Sequence, residues 1–344
     1  MEPVLAIDVG SGTQDILIYD PAKEMENNIK LILPSQTQII AKKINEATRA
    51  GKDIYLYGNV MGGGPNKRAV KDHISKGFHV YSSEKAAFTF KDDLNKVRDQ
   101  GIVIADFPPE EALFIELKDV DLEKLKKALS FFGVDLPQNY AVTLQDHGFS
   151  PHESNRRFRF LHWEKFLNDG GAIPDLVYGE NIPEYFSRMQ AVREHLNDAV
   201  MMDAGAAAML GALEDERVKE VCEKEGCILL NIGNQHIIAF LVKDERVYGI
   251  FEHHTGMLDP DSLYNYLQEF KRGELTNQKV FEERGHGCKV FEEARRFSWD
   301  FIAVTGPKRE MAKNFGYLAV PHGDMMFSGC FGLLRGIRYL KGVK

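Results

Sequence analysis

Leu5-Ala6-Ile7-Asp8-Val9-Gly10-Ser11-Gly12-Thr13-Gln14-Asp15-Ile16 decides how the rest of the chain is read. An apolar strand ends near an acidic residue, a turn with two glycines follows, and a second strand leaves it. Gly10 and Gly12 let the backbone turn sharply and come close to a ligand. Successive N–H groups in such a turn form an anion-binding nest, to which Ser11 and Thr13 add hydroxyls. Asp8 is placed to hold a metal-bound water. No Lys follows the glycines, so the segment is not a P-loop. Taken alone, it also reads as an ordinary β-hairpin with a glycine turn.

The same plan recurs in Cys227-Ile228-Leu229-Leu230-Asn231-Ile232-Gly233-Asn234-Gln235-His236-Ile237-Ile238-Ala239-Phe240, and a third strand, Arg246–Phe251, extends it. Two such hairpins, one in each half of the chain, can grip a phosphate chain from both sides. Between them, Asp203 is a natural N-cap for a helix on which Ala204, Ala207, Ala208 and Gly211 share one face. Gly329, Gly332 and Gly336 form a matching small stripe near the C-terminus. Two helices with such faces cross closely, as a tight core pair or as a lobe hinge. Val304-Thr305-Gly306-Pro307 ends a strand and opens a helix, and the bare N–H groups there suit an anion or a ribose edge.

With 344 residues the chain is long enough for two domains, and a break near Asn197 divides it into lobes 1–197 and 198–344. Its 44% hydrophobic and 27% charged residues are those of a soluble globular protein. A net charge of -8 with scattered Lys and Arg argues against a nucleic-acid partner. No apolar run spans a bilayer, so no membrane partner is expected. No basic leader precedes the first strand, which predicts a cytoplasmic protein. Four cysteines, Cys222, Cys227, Cys288 and Cys330, are too few for a disulfide framework. Strand-like and helix-like segments alternate, which predicts an α/β fold. Pro65–Lys76, Leu122–Phe132 and Pro260–Lys271 read as helices, and His147–Gly179 reads as long loops.

The order of these motifs resembles the actin-like ATPase superfamily of sugar kinases, heat-shock ATPase domains and actin. The resemblance implies a two-lobed actin-like (ribonuclease H-like) ATPase fold with a hinged central cleft. It implies ATP and Mg²⁺ as cofactors. Asp8 and Asp203 would organise the metal and water. Gly10, Ser11, Gly12 and Thr13, with Asn231, Gly233, Asn234 and Gln235, would hold phosphates, and Gly306 and Pro307 would face the nucleoside. The second motif departs from the family pattern, because Asn231 stands where Asp is usual. Asn is neutral and cannot act as a base, so binding is better supported than hydrolysis.

Met61-Gly62-Gly63-Gly64-Pro65, Gln145-Asp146-His147-Gly148, Glu252-His253-His254-Thr255-Gly256 and Pro321-His322-Gly323-Asp324-Met325-Met326 resemble a narrower family. Its members are often labelled pyruvate formate-lyase-activating protein. That label implies S-adenosylmethionine radical chemistry, which needs a CxxxCxxC signature that the chain lacks. The glycine run, with Lys67 and Arg68 in the helix turn after it, can bind an anion or second substrate, or be only a strained turn. A small-molecule or protein substrate is expected near Gly62, Gly63, Gly64, Asp146 and His147. His253 and His254 alternate faces on a strand, so at most one faces a cleft. His254, or Asp259 close by, is the candidate to activate water or a hydroxyl. A metal on His147, His254 or His322 is a further alternative, although no pair has local ligand spacing. The expected function is an ATP/Mg-binding ATPase or phosphotransferase, or a non-hydrolysing regulator or scaffold with a degenerate site.

Overall fold

The computed structural model describes residues 1–342, so residues 343 and 344 of the expected C-terminal lobe lie outside the described residues. One hairpin plan, used twice, organises it. β1 (Val4–Val9) and β2 (Thr13–Tyr19) run antiparallel, Val4 opposite Tyr19, and β3 (Ile29–Pro34) extends the meander. On the other flank β8 (Asn139–Leu144) lies parallel to β1, and β10 (Val200–Asp203) lies parallel to β8. The short β9 (Val177–Tyr178) completes a six-stranded sheet of order β3-β2-β1-β8-β10-β9. All of β1 but Asp8, and β8 from Ala141 on, are buried, as expected of strands covered on both faces.

The second sheet repeats this order. β11 (Cys227–Ile232), β12 (His236–Lys243) and β13 (Arg246–His254) form the meander, with β14 (Gly287–Val290) outside it. β15 (Ile302–Thr305) lies parallel to β11 on the other flank, followed by β16 (Tyr317–Leu318). A three-strand meander with parallel strands added beside its first strand, present twice, is the two-lobed actin-like fold.

A third sheet stands apart from the two hairpin sheets, and of its strands the stretches Asp53–Tyr57 and Gly101–Asp106 read as strands in sequence. β4 (Ile54–Gly58), β5 (Val80–Ser82), β6 (Ile102–Ile104) and β7 (Leu113–Leu117) form an all-parallel sheet of order β6-β5-β4-β7 between β3 and β8 in the chain. The helices Gln36–Arg49 and Gly64–Ser75 cover it through Ile40, Ile44, Ala69 and Val70. The stretch His147–Gly179, expected as loops, contains the helix Asn155–Asn168. Of the helix expected to open after Pro307, only a 3₁₀ turn at Arg309–Ala312 forms.

The small-faced helices meet. Ala204–Ala212 packs on β11 and β15, while Ser328–Leu340 returns to lie against β1, β8 and β10 of the first sheet. At their crossing a Cβ on Gly332 would overlap the carbonyl of Ala207, and one on Gly211 would overlap that of Ser328. One apolar cluster runs through this seam, from Ala6 and Met202 through Leu210, Phe331 and Leu334 to Leu229 and Phe240. β10 still pairs with the first sheet, so the chain changes sheets after Asp203. Among the described residues no helix is long and apolar enough to cross a membrane.

Gly332→Ala should therefore cost about 1–3 kcal/mol in urea unfolding, because neither backbone at the crossing can yield. Gly256→Ala, where an added Cβ meets nothing within 4 Å, should stay within about 0.5 kcal/mol of the parent.

Candidate functional site

The two hairpin turns are built alike. The Gly10 N–H donates to the Thr13 carbonyl at 2.9 Å, and the Gly233 N–H donates to the His236 carbonyl at 2.8 Å. The turns face each other, with Gly12 against the Asn234 side chain. Ser35 fixes the first turn from outside, its N–H donating to the Gly12 carbonyl at 3.1 Å and its hydroxyl to Ser11 at 3.2 Å. Gly306, at φ +97°, packs where any side chain would overlap the Ile232 carbonyl. Asn231 accepts a hydrogen bond from the Thr305 hydroxyl at 3.3 Å.

A cleft of about 480 Å³ lies between the turns. The structure brings Asp8, Gly10, Ser11, Thr13, Asn231 and Gly233 to its wall. Asn234, Gln235, Gly306 and Pro307 line it as well. The loop Gly62-Gly63-Gly64 closes one side, and Asp146 and His147 another.

Two carboxylates form the floor. Asp8 and Asp15 stand directly opposite each other on β1 and β2. Burial, and then the charges of Asp15 and Asp203, push the Asp8 carboxyl up to about 8. Burial pushes Asp15 up to about 6 against a hydrogen bond from Thr13, and its Oδ1 is buried with no partner. Like charges directly opposite on a hairpin are destabilising. A divalent cation would relieve both groups, so the floor fits Mg²⁺.

Asp203 departs from its expected place as an open metal carboxylate. Its Oδ2 accepts from Arg159 at 2.8 Å, and its Oδ1 accepts from Arg159 at 3.1 Å and from the Gly205 N–H at 2.9 Å. The N-cap role holds, and the free oxygens do not. The reason is the helix Asn155–Asn168, which carries Arg159 into the core. Arg159 also donates from Nε to both oxygens of Glu252, at 2.8 and 2.9 Å. Glu252 accepts in addition from Trp163 Nε1 and Gln145 Nε2, each at 3.1 Å. A buried guanidinium thus ties the end of the first sheet to β13 of the second. Asp146 is structural as well, accepting from the Gly148, Arg188 and Met189 N–H groups.

Opposite the floor stands Lys67, in the first turn of the Gly64–Ser75 helix. It makes no ion pair among the described residues. Burial, with the nearby charge of Lys91, pushes it down to about 8.

Four histidines gather at one end of the cleft. Ring nitrogens of His147, His236 and His286 all lie within 4.8 Å of one another. The His254 ring is 4.9 Å from that of His236 and 4.7 Å from that of His286. Burial pushes His147 and His236 well below the usual imidazole range and His286 down to about 2. His147 and His236 face the cleft, and His254 stands behind His236. His253 turns to the opposite face, toward Tyr266. His322 lies elsewhere, 3.4 Å from Glu214, and Asp259 caps the helix Pro260–Lys271. His286 was not singled out in sequence, because no local spacing joins it to the others.

Comparison with known proteins gives one family match. The family described as "Putative pyruvate format-lyase activating enzyme (DUF1786)" matches residues 61–311. No curated protein matches the chain. Among solved structures, a Bacteroides thetaiotaomicron protein with actin-like ATPase fold and unknown function aligns over 96% of this chain and 95% of its own, with 8% identity and a TM-score of 0.41. The ethanolamine utilization protein EutJ from Carboxydothermus hydrogenoformans aligns over 96% and 88%, with 8% identity and a TM-score of 0.34. An exopolyphosphatase from Cytophaga hutchinsonii aligns over 88% and 66%, with 11% identity and a TM-score of 0.30.

Arg159→Ala should cost about 3–5 kcal/mol in chemical unfolding, because Asp203 and Glu252 are left as buried, unpaired carboxylates. The raised Asp8 pKa makes a second prediction. The folded state holds the Asp8 proton above pH 4 where the unfolded chain has released it, so the group stabilises at low pH and that contribution is lost as pH rises through about 8. In cation-free buffer, Asp8→Asn should gain stability on the parent progressively between pH 4 and 8, by up to about 1.4 kcal/mol per pH unit. Paired thermal unfolding at several pH values measures it.

Proposed function

The chain belongs to the DUF1786 family, and we propose that its cleft binds ATP with Mg²⁺ and serves an ATPase or phosphotransferase. The observation that carries this reading is the pair Asp8 and Asp15. They are two raised carboxylates without a cation partner, set between two opposed glycine turns.

In this reading the N–H groups inside the two turns, those of Ser11 and Gly12 and of Asn234 and Gln235, hold phosphate oxygens from both sides. Gly306 and Pro307 face the nucleoside. Asp8 and Asp15 would hold the ion, which supplies charge neutralisation to the phosphates. Asp203 takes a changed role and fixes Arg159 instead of the ion. Lys67 donates to an anionic oxygen on the acceptor side, near Gly62, Gly63, Gly64, Asp146 and His147. His254 acts through His236 as a positioning residue. Lobes dividing near residue 198 would close on the ligand and exclude water.

The activity in the family's description is not part of this reading. Cys222 and Cys227 adjoin each other, Cys288 lies on β14, and Cys330 lies against the Ala6 and Asp15 carbonyls. Three cysteines do not meet among the described residues.

A second reading, a non-hydrolysing regulator or scaffold, is favoured by Asn231. It is neutral and already bonded to Thr305, so the second turn brings no carboxylate. Asn231→Asp raising turnover would support this degenerate-site reading.

Calorimetric titration with ATP should show one-to-one binding that requires Mg²⁺ and is lost in Asp8→Ala. Absence of binding by the parent, or the same binding by Asp8→Ala, sinks the nucleotide reading.

A further inference from the structure

We propose that His147, His236 and His286 form a site for a divalent transition metal of the zinc, cobalt and nickel class. The three residues come from separate places. His147 follows β8, His236 opens β12, and His286 precedes β14. Nothing local brings them together, yet their ring nitrogens lie within 4.8 Å of one another. Both ring nitrogens of His286 are buried without a hydrogen-bond partner. Buried polar atoms are rarely left unpartnered, and His286 holds two of them beside His147 and His236.

The donor set selects the ion. Three imidazoles suit zinc and its neighbours, whereas Mg²⁺ and Ca²⁺ take oxygen ligands. A tetrahedral ion with bonds of about 2.1 Å holds its nitrogens about 3.4 Å apart, so the rings draw inward on binding. A supporting carboxylate is in place. Glu252 Oε1 lies 3.6 Å from His236 Nδ1 and is itself held by Arg159. A carboxylate beside a ligating imidazole orients the ring and raises its basicity. The entry path is the cleft, which His147 and His236 line and His286 backs. Three protein ligands leave the fourth position open toward the cleft, for water or an oxygen of the acceptor. This site does not rest on the nucleotide reading, since the histidines converge whatever the glycine turns bind.

The test is titration of the chelator-stripped, full-length protein with Co²⁺. One equivalent should produce a visible d–d band of a four-coordinate nitrogen site. It should lack the near-ultraviolet sulfur-to-cobalt transition that cysteine ligation gives. His147→Ala, at the cleft wall, should weaken binding at least about 100-fold, and His286→Ala should abolish it. If His286→Ala does not fold, His236→Asn takes its place beside His147→Ala. Asp8→Ala should keep the cobalt affinity of the parent. A folded protein without a cobalt band overturns the proposal. So does a sulfur transition, unchanged affinity in His147→Ala, or loss of binding in Asp8→Ala.

Discussion

The guanidinium of Arg159 is the constraint on which the arrangement of the cleft depends. It is almost fully buried and meets Asp203 at the end of β10 and Glu252 on β13. A charge in that position tolerates no vacancy among its partners. Asp203 must therefore stay where it also caps the connecting helix, and Glu252 where it also meets Trp163, Gln145 and His236. Any motion that separates the two carboxylates strands one of them. The two sheets are thus held at a defined spacing at this end of the cleft, and relative movement is confined to the other parts of its wall.

Around that fixed point the cleft keeps charges of both signs unpaired. Asp8 and Asp15 lie on the floor, and Lys67 stands in the helix turn above the glycine loop. Burial pushes each of them toward its neutral form. Groups held this way need no rearrangement when a ligand carrying both a cation and anionic oxygens arrives.

Much of the fold was legible because its signals are local. The hairpin strands are continuous apolar runs bounded by glycine turns, and the helix Pro260–Lys271 forms over the expected residues. The small faces of the connecting and final helices announced their close crossing. The helix Asn155–Asn168 was hidden because Asn155-Arg156-Arg157-Phe158-Arg159-Phe160 mixes charge and aromatic residues with no apolar stripe. Its buried arginine makes sense only beside carboxylates 44 and 93 residues away. In the inserted sheet β4 and β6 overlap the stretches Asp53–Tyr57 and Gly101–Asp106 that read as strands, whereas β5 is three residues long, too short to show a period. The helix Gln36–Arg49 did carry a usable signal, since Ile40, Ala41, Ile44 and Ala47 recur at helical spacing behind Ser35. The glycine turns could be read one at a time. The Asp8–Asp15 pairing depends on strand register, and the histidine group depends on three segments that only the folded chain assembles.

The return of the last helix to the first strand has a consequence for synthesis on the ribosome. Ser328–Leu340 covers β1, β8 and β10, so the opening hairpin waits for nearly the whole chain before its buried face is closed. Until then Leu17, Ala6 and their neighbours form an apolar surface without its cover. Contacts of such long sequence separation slow folding and leave the nascent chain prone to aggregation. The first half of this protein is made early and finished late, and a stop codon just before residue 328 would damage the N-terminal sheet more than the sheet nearest to it.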